Sequence, residues 1–350
     1  MSTLLLSAAE PSGDALAGPL LDALLRERPH LAVAGVTGPA MRAAGGSALT
    51  SLADVGDLSA GGLVELLPQA PTLLRTRRLL RRAVDGRPDG VVLVDAPDLH
   101  LPLLARAKGR GLPAVQVVAP QFWAWRPGRA GRLARIADRV LCLFRFEVKR
   151  LEAAGASATW VGHPLATLVP APVPKRPRPR VLLLPGSRRG ERARNTAPLL
   201  AAASALGDVD VVLSWMGTEP PPRGVALARG SGRDQLGDCD AALVAAGTAT
   251  LEAALLGVPQ VVVASAHPLT AALARPLIQT PWFALPNVLL GRAAVPEVVQ
   301  DLDVPSLTRA LSDALARRAE ARSLAEEVRV ALGGPGFAER AAAAVFEVIP

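Results

Sequence analysis

Several short segments concentrate the residue types that do chemistry, and most of them directly follow apolar runs. Glu10-Pro11-Ser12-Gly13-Asp14 comes after Leu4, Leu5 and Leu6. It offers two carboxylates and a hydroxyl in one turn, or a turn in which Ser12 or Asp14 caps a helix. Asp95-Ala96-Pro97-Asp98 comes after a Val-Val-Leu-Val run. Two carboxylates three apart could supply a general base or hold a metal, or could be ordinary charged caps on a strand end. Pro97 disfavours helix at Ala96 and predicts an extended loop there. Pro120-Gln121-Phe122-Trp123-Ala124-Trp125-Arg126 crowds three aromatics into four positions. That cluster suits either a packed core or contact with a sugar or acyl chain.

Pro185-Gly186-Ser187-Arg188, with Glu191 following, also succeeds an apolar run. It lacks the Gly-Lys-Ser/Thr ending of a Walker loop. A Gly-Ser turn still offers backbone N–H groups, and Arg188 offers a fork for phosphate oxygens; the alternative is a plain turn with a solvated Arg. Ala246-Gly247-Thr248-Ala249-Thr250-Leu251-Glu252 has the small residues of an anion-binding helix start. Glu252 lies four after Thr248, one too far for a capping box on it. Its carboxylate is then free for ribose hydroxyls, or simply complements the helix dipole. Asn287, Glu297 and Gln300 are polar positions in apolar surroundings. Of the four histidines only His163, in Val-Gly-His-Pro, has a motif-like setting, and it reads as structural. No His/Cys/carboxylate cluster has metal-ligand spacing, and Gly-x-Ser-x-Gly and Gly-x-Gly-x-x-Gly are absent.

The elements that must position these segments follow from periodicity. Strands are predicted at 3–7, 31–35, 90–94, 114–118, 139–143 and 159–161, with helical spacing between most of them. Leu16, Leu20, Leu21, Leu24 and Leu25 mark the first helix. Pro19 predicts that it begins near Gly18, with the Glu10–Asp14 segment an exposed loop. Residues 168–180 break the pattern with Pro170, Pro172, Pro174, Pro177 and Pro179 and read as a semi-rigid linker. A second series then starts, with strands at 181–184, 210–214, 241–245 and 259–264. The expectation is an α/β protein of two Rossmann-like domains, 1–167 and 181–335. An Ala-rich helix at 336–350 could pack back on the first. Both sheets are parallel, with ligands at the carboxyl ends of the strands.

Composition narrows the classes. The 350 residues are 50% hydrophobic and 20% charged, which excludes disorder as the main state. Lys and Arg total 39 against 31 Asp and Glu, for a net charge of +8. Only Lys108, Lys149 and Lys175 are lysines, so the positive charge is nearly all guanidinium. That suits phosphate or carboxylate contact, and a GC-rich genome gives the same bias. Nucleic acid rests on basicity alone, without a motif. Cys142 and Cys239 are too few for a disulfide framework and fit a reducing, cytoplasmic compartment. The N-terminus lacks a signal-peptide pattern. The uncharged stretch 253–274 is interrupted by Pro259, Gln260 and Pro268, against a membrane span.

Taken in order, Glu-Pro-Ser-Gly-Asp, Gly-Pro-Ala-Met, Gly-Leu-Val-Glu-Leu-Leu-Pro, Asp-Ala-Pro-Asp, Pro-Gln-Phe-Trp-Ala-Trp-Arg, Val-Gly-His-Pro-Leu, Leu-Leu-Pro-Gly-Ser-Arg, Gly-Thr-Ala-Thr-Leu-Glu, Leu-Pro-Asn and Val-Pro-Glu-Val-Val-Gln resemble the lipid-A-disaccharide synthase family from about Ser7 to Gln300. The resemblance implies a GT-B glycosyltransferase fold, two domains facing a cleft. It implies transfer of a diacylglucosamine from UDP to diacylglucosamine 1-phosphate in a β-1,6 linkage, with neither metal nor cofactor. It implies catalytic roles near Glu10, Ser12, Asp14, Asp95 and Asp98. Gly186, Ser187, Arg188, Glu191, Gly247, Thr248, Thr250, Glu252 and Asn287 would bind the donor. It also implies a partner surface, the anionic inner face of the cytoplasmic membrane. The chain departs from the pattern at Ala119, Ala246 and 263–265, and its linker is shorter. A UDP-sugar epimerase and a non-catalytic membrane-associated homologue are the alternatives, separable by product formation with an acceptor present. The sequence does not set acyl length or oligomeric state.

Overall fold

The computed structural model describes residues 2–58, 70–124, 126–170, 172, 176–266 and 278–350. The chain forms two units, Met1–Pro164 with Gly333–Pro350, and Leu165–Leu332. The first unit alternates strand and helix: β1 (Thr3–Ala8), α1 (Pro11–Glu27), β2 (Ala32–Thr37), α2 (Pro39–Gly45), β3 (Leu49–Asp54), α3 (Ala70–Asp85), β4 (Gly90–Val94), α4 (Pro97–Lys108), β5 (Ala114–Val117), α5 (Gly128–Ile136), β6 (Arg139–Cys142), α6 (Arg145–Ala153) and β7 (Ala158–Trp160). The second continues with β8 (Arg180–Leu184), α7 (Arg189–Ser204), β9 (Asp210–Leu213), β10 (Ala226–Leu227), α8 (Gly232–Gly237), β11 (Ala241–Ala245), α9 (Thr248–Leu255), β12 (Gln260–Ala264), α10 (Leu285–Leu290), β13 (Glu297–Val299), α11 (Val304–Ala316) and α12 (Arg318–Ala331). The last helix, α13 (Phe337–Phe346), belongs to the first unit.

Each unit holds one parallel sheet. The orders are β3-β2-β1-β4-β5-β6-β7 and β10-β9-β8-β11-β12-β13. The inner strands are buried on both faces, which is why they read as continuous Val/Leu runs. The three strands that the apolar runs do not announce, β3, β10 and β13, are all edges. None of their residues is fully buried, so hydrophobic patterning has little to mark there.

The first helix departs from expectation. It begins at Pro11 and runs through Pro19, so Glu10–Asp14 is the helix start and not a free loop. Pro11 stands at the first turn, where its missing N–H costs nothing. Pro19 deletes the bond to the Ala15 carbonyl, and both residues face solvent, so water satisfies that oxygen. Leu16, Leu20, Leu21 and Leu24 are buried on the opposite face. At about 1.5–3 kcal/mol each they outweigh the ~3 kcal/mol of an interior proline. Leu20, Leu21 and Leu24 share a core with Phe337, Ala341, Val345 and Ile349 of the C-terminal segment. Arg28 stacks 3.9 Å over the Phe346 ring.

Candidate functional site

In each sheet the chain runs outward from a central strand and then returns to its other side. The neighbours at that reversal are β1 and β4 in the first unit and β8 and β11 in the second. Turns leaving the carboxyl ends of such strands diverge and leave room for a ligand. Glu10–Asp14 follows β1 and Asp95–Asp98 follows β4; Gly186–Arg188 follows β8 and Gly247–Glu252 follows β11. Four of the motifs thus fall at the two reversal points.

At the first point, the Ser12 hydroxyl donates to Asp95 Oδ2 across 3.4 Å. Burial pushes the Asp95 carboxyl above its ordinary range, opposed by the Ala96 N–H and Ser12. A carboxyl shifted toward neutrality is suited to general-base work. Ala96 is not extended: it caps α4 at φ 46°, ψ 56°. Glu10 is the exposed N-cap residue of α1.

Two acidic candidates are otherwise engaged. Asp14 is buried, and its carboxylate accepts from Gly38 N at 2.8 Å, Ala40 N at 2.8 Å and Met41 N at 3.1 Å. It therefore caps α2 across the α1–α2 contact, which occupies both carboxylate oxygens with backbone amides. A Cβ on Gly38 would lie 2.5 Å from that carboxylate, so glycine is needed there. Asp98 is 85% exposed and lies 3.0 Å from Arg129 and 4.0 Å from Arg126. It has neither the burial nor the freedom of Asp95.

The aromatic segment divides. Phe122 and Trp123 are buried, and Trp123 Nε1 donates to Glu147 Oε1 at 3.0 Å. Burial raises Glu147 to about 7. These two side chains are core; Trp125 lies outside the described residues. His163 is buried and stacked on Phe144, as a structural histidine should be. Both thiols are free and buried.

At the second point, Ser187 and Arg188 are exposed at the N-terminus of α7, and Gly247 and Thr248 at the N-terminus of α9. Helix starts and guanidinium groups are both features that favour anions. Gly186 has φ 116°, and a Cβ there would lie 2.5 Å from Glu191 Oε2. Glu191 reaches back to the Arg188 amide at 3.4 Å and closes the first turn of α7. Arg188 stays 74% exposed, with one loose contact to Glu191 at 3.5 Å.

Two donor-site candidates face inward instead, and a third is paired. Thr250 is fully buried, and its hydroxyl donates to Gly247 O at 2.7 Å. Asn287 is fully buried; its amide donates to Val295 O and Glu297, and its oxygen accepts from Ala294 N and Val295 N. Glu252 is not free, since Arg233 Nε lies 3.2 Å from it. These residues shape the turns on which their exposed neighbours stand.

Periodicity missed the residues that brace the loops. Arg192 is buried, forks onto Glu219 at 2.7 and 3.1 Å, and donates to Ser187 O. Arg192 holds the Glu219 carboxyl below its ordinary value. Asn195 donates to Pro185 O at 2.8 Å and accepts from Ser265 Oγ at 2.5 Å. His100 and Gln116 do the same service around Asp95. The available signal was a polar residue at a core-facing position, as in Ala-Val-Gln-Val-Val.

Two Rossmann-like parallel sheets, each with its chemistry at the reversal point, define a GT-B glycosyltransferase. Solved structures agree on that fold. The glycotransferase of kitacinnamycin superposes with a TM-score of 0.62 at 18% identity, covering 100% of this chain and 99% of its own. CalG4, the calicheamicin glycosyltransferase, gives 0.58 at 20% identity, with 100% of both chains covered. A family model described as lipid-A-disaccharide synthetase matches residues 4–214 and 223–331. The lipid-A-disaccharide synthase of Anaeromyxobacter dehalogenans (strain 2CP-C) is 39% identical over 376 residues, covering 99% of this chain and 97% of that one. The chain belongs to the lipid-A-disaccharide synthase family.

Proposed function

We propose that the enzyme transfers 2,3-diacylglucosamine from UDP to 2,3-diacylglucosamine 1-phosphate, forming the β-1,6 disaccharide 1-phosphate and UDP. The observation that carries the assignment of roles is the half-buried, Ser12-linked Asp95 at a sheet reversal. Asp95 takes the proton of the acceptor hydroxyl as its oxygen attacks the anomeric carbon. The bond from that carbon to the diphosphate oxygen breaks, and the configuration inverts. The departing negative charge is met by Arg188 and the amides of Gly247 and Thr248. Glu10 and Ser12 border the acceptor hydroxyl, while Asp98 orients Arg129 and Arg126. The test is incubation of purified protein with UDP-diacylglucosamine and the monosaccharide 1-phosphate. Mass spectrometry should find disaccharide and UDP in equal amounts. UDP-sugar turnover without acceptor, or no turnover, would overturn the proposal.

Both substrates are acylated, which places the work at the inner face of the cytoplasmic membrane. No described helix is long and apolar enough to cross a bilayer; the proposed contact is peripheral. The segment 63–82 is the proposed surface, of which Leu63, Leu66, Leu67 and Pro68 lie outside the described residues. On α3, Thr76, Leu80 and Val84 are buried one turn apart. Leu80 is therefore core, not interface, while Leu74 is half-exposed and Arg75, Arg78, Arg81 and Arg82 face out. Each Arg is worth about 1 kcal/mol near an anionic surface. Vesicles containing anionic lipid should bind the protein, less at high salt, and zwitterionic vesicles should not. Changing Arg75, Arg78 and Arg82 to Glu should abolish binding; full binding by that variant would move the contact elsewhere.

A further inference from the structure

Asp95 and two residues near it hold a backbone conformation that non-glycine residues avoid. Asp95 and Ala96 have φ of 54° and 46°, and Val118, just past β5, has 69°. For a β-branched residue this region is a true outlier. Such geometry persists only where the surroundings over-determine it, and it gathers at functional sites.

Two buried polar side chains supply the surroundings. His100, on α4, is fully buried, and its Nδ1 lies 2.8 Å from the Asp95 carbonyl oxygen. Its Nε2 lies 3.3 Å from the Ser7 hydroxyl on β1. Burial drops His100 to about 4, so the ring is neutral. A carbonyl can only accept, so Nδ1 carries the hydrogen and Nε2 accepts from Ser7. From β5, Gln116 Nε2 donates to Val117 O at 3.0 Å and Val118 O at 3.1 Å, and lies 3.5 Å from Asp95 O. His100 and Gln116 therefore converge on the Asp95 carbonyl from two elements, and Gln116 also grips the Val118 turn.

We propose that His100 and Gln116 are positioning residues for the transfer, clamping the two left-handed turns so that the Asp95 carboxyl is presented beside Ser12. This rests on Asp95 being the base. Neither residue touches substrate; both act through the Asp95 backbone.

Two substitutions separate positioning from general stability. Asn places an amide nitrogen where Nδ1 stands, whereas Gln places one where Nε2 stands. His100→Asn should keep the bond to Asp95 and stay within about threefold of wild-type kcat. His100→Gln should keep a contact to Ser7, whose hydroxyl then accepts from the amide, but release Asp95, lowering kcat tenfold or more with KM little changed, since small misplacements are costly in catalysis. Its acid limb in the pH–rate profile should move down as Asp95 becomes better hydrated. In an Asp95→Asn background, His100→Gln should add no further loss. Equal losses in His100→Asn and His100→Gln, or a loss that persists without Asp95, would overturn the proposal. An impaired Asp95→Asn beside an unimpaired His100→Gln refutes the clamp alone, whereas wild-type turnover in Asp95→Asn refutes the base assignment itself. Should His100→Gln not fold, Gln116→Met gives the same readouts, with undiminished kcat counting against the clamp.

Discussion

The turns at the two sheet reversals are built in opposite ways. In the first unit the proposed functional group is a carboxyl that burial biases toward its protonated form, on a strained backbone braced by neutral His100 and Gln116. In the second, the proposed functional groups are the amides at two exposed helix starts and the exposed Arg188, on a turn braced by the charged Arg192–Glu219 pair and Asn195. The chemistry explains the contrast. A base must be partly desolvated to hold a proton near neutral pH, and formal charge behind it would shift its affinity. A diphosphate site gains from every permanent positive group and needs no titration.

The sharpest way to break that comparison is at Asp95. Asp95→Asn keeps the size and the Ser12 contact but removes the proton acceptor. Turnover should fall by about 10²–10⁴, the usual worth of a positioned base, while calorimetry finds UDP affinity unchanged. Wild-type turnover would mean that the first reversal is not where the proton goes.

Arg188→Ala should act on the other half. A charge-assisted hydrogen bond is worth about 1.5–3 kcal/mol, so UDP should bind about 10- to 150-fold more weakly. Arg188→Lys should recover little, because a point charge cannot replace the fork. Equal UDP affinities in wild type and Ala variant would reassign the diphosphate to other groups.

Asp14 sharpens the distinction between acting and supporting. Loss of its three amide contacts in Asp14→Ala should cost about 1–2 kcal/mol, as for a lost helix cap. The melting temperature should drop while kcat changes little. A large kcat loss at unchanged stability would return Asp14 to the catalytic list.

The two sheets were legible in the sequence because inner parallel strands are apolar on both faces; β4 reads Gly-Val-Val-Leu-Val and is wholly buried. Three of the four edge strands, β3, β10 and β13, escaped because none of their residues is fully buried. The reversal-point motifs were legible as turns after strands, but not the direction each side chain takes. Thr250 and Asn287 turn inward and Arg188 outward, a matter of helix phase and local packing that spacing does not fix. His100 escaped because a histidine amid leucines looks like any core residue until the Asp95 carbonyl stands beside it.

Acid should also separate the two braces. His100 falls from 6.5 to about 4 on folding. The unfolded chain therefore takes the proton first, and stability is lost as pH falls from about 6.5 toward 4, by about 3 kcal/mol at most. Glu219 is lowered from 4.5, so its contribution is lost only as pH falls below that value. Glu147 works in the other direction: raised to about 7, it favours the fold below 4.5 and loses that contribution as pH rises through 7. Between pH 6 and 4.5 the first reversal should thus loosen while the second does not. Hydrogen exchange should show the amides of Asp95, Leu99 and His100 losing protection in that window and the Arg192 amide keeping it. His100→Asn, which has no proton to take, should abolish the loss. Parallel behaviour of the two turns, or an unaltered acid response in that variant, would mean that the charge of the brace does not set the pH tolerance of the turn it holds.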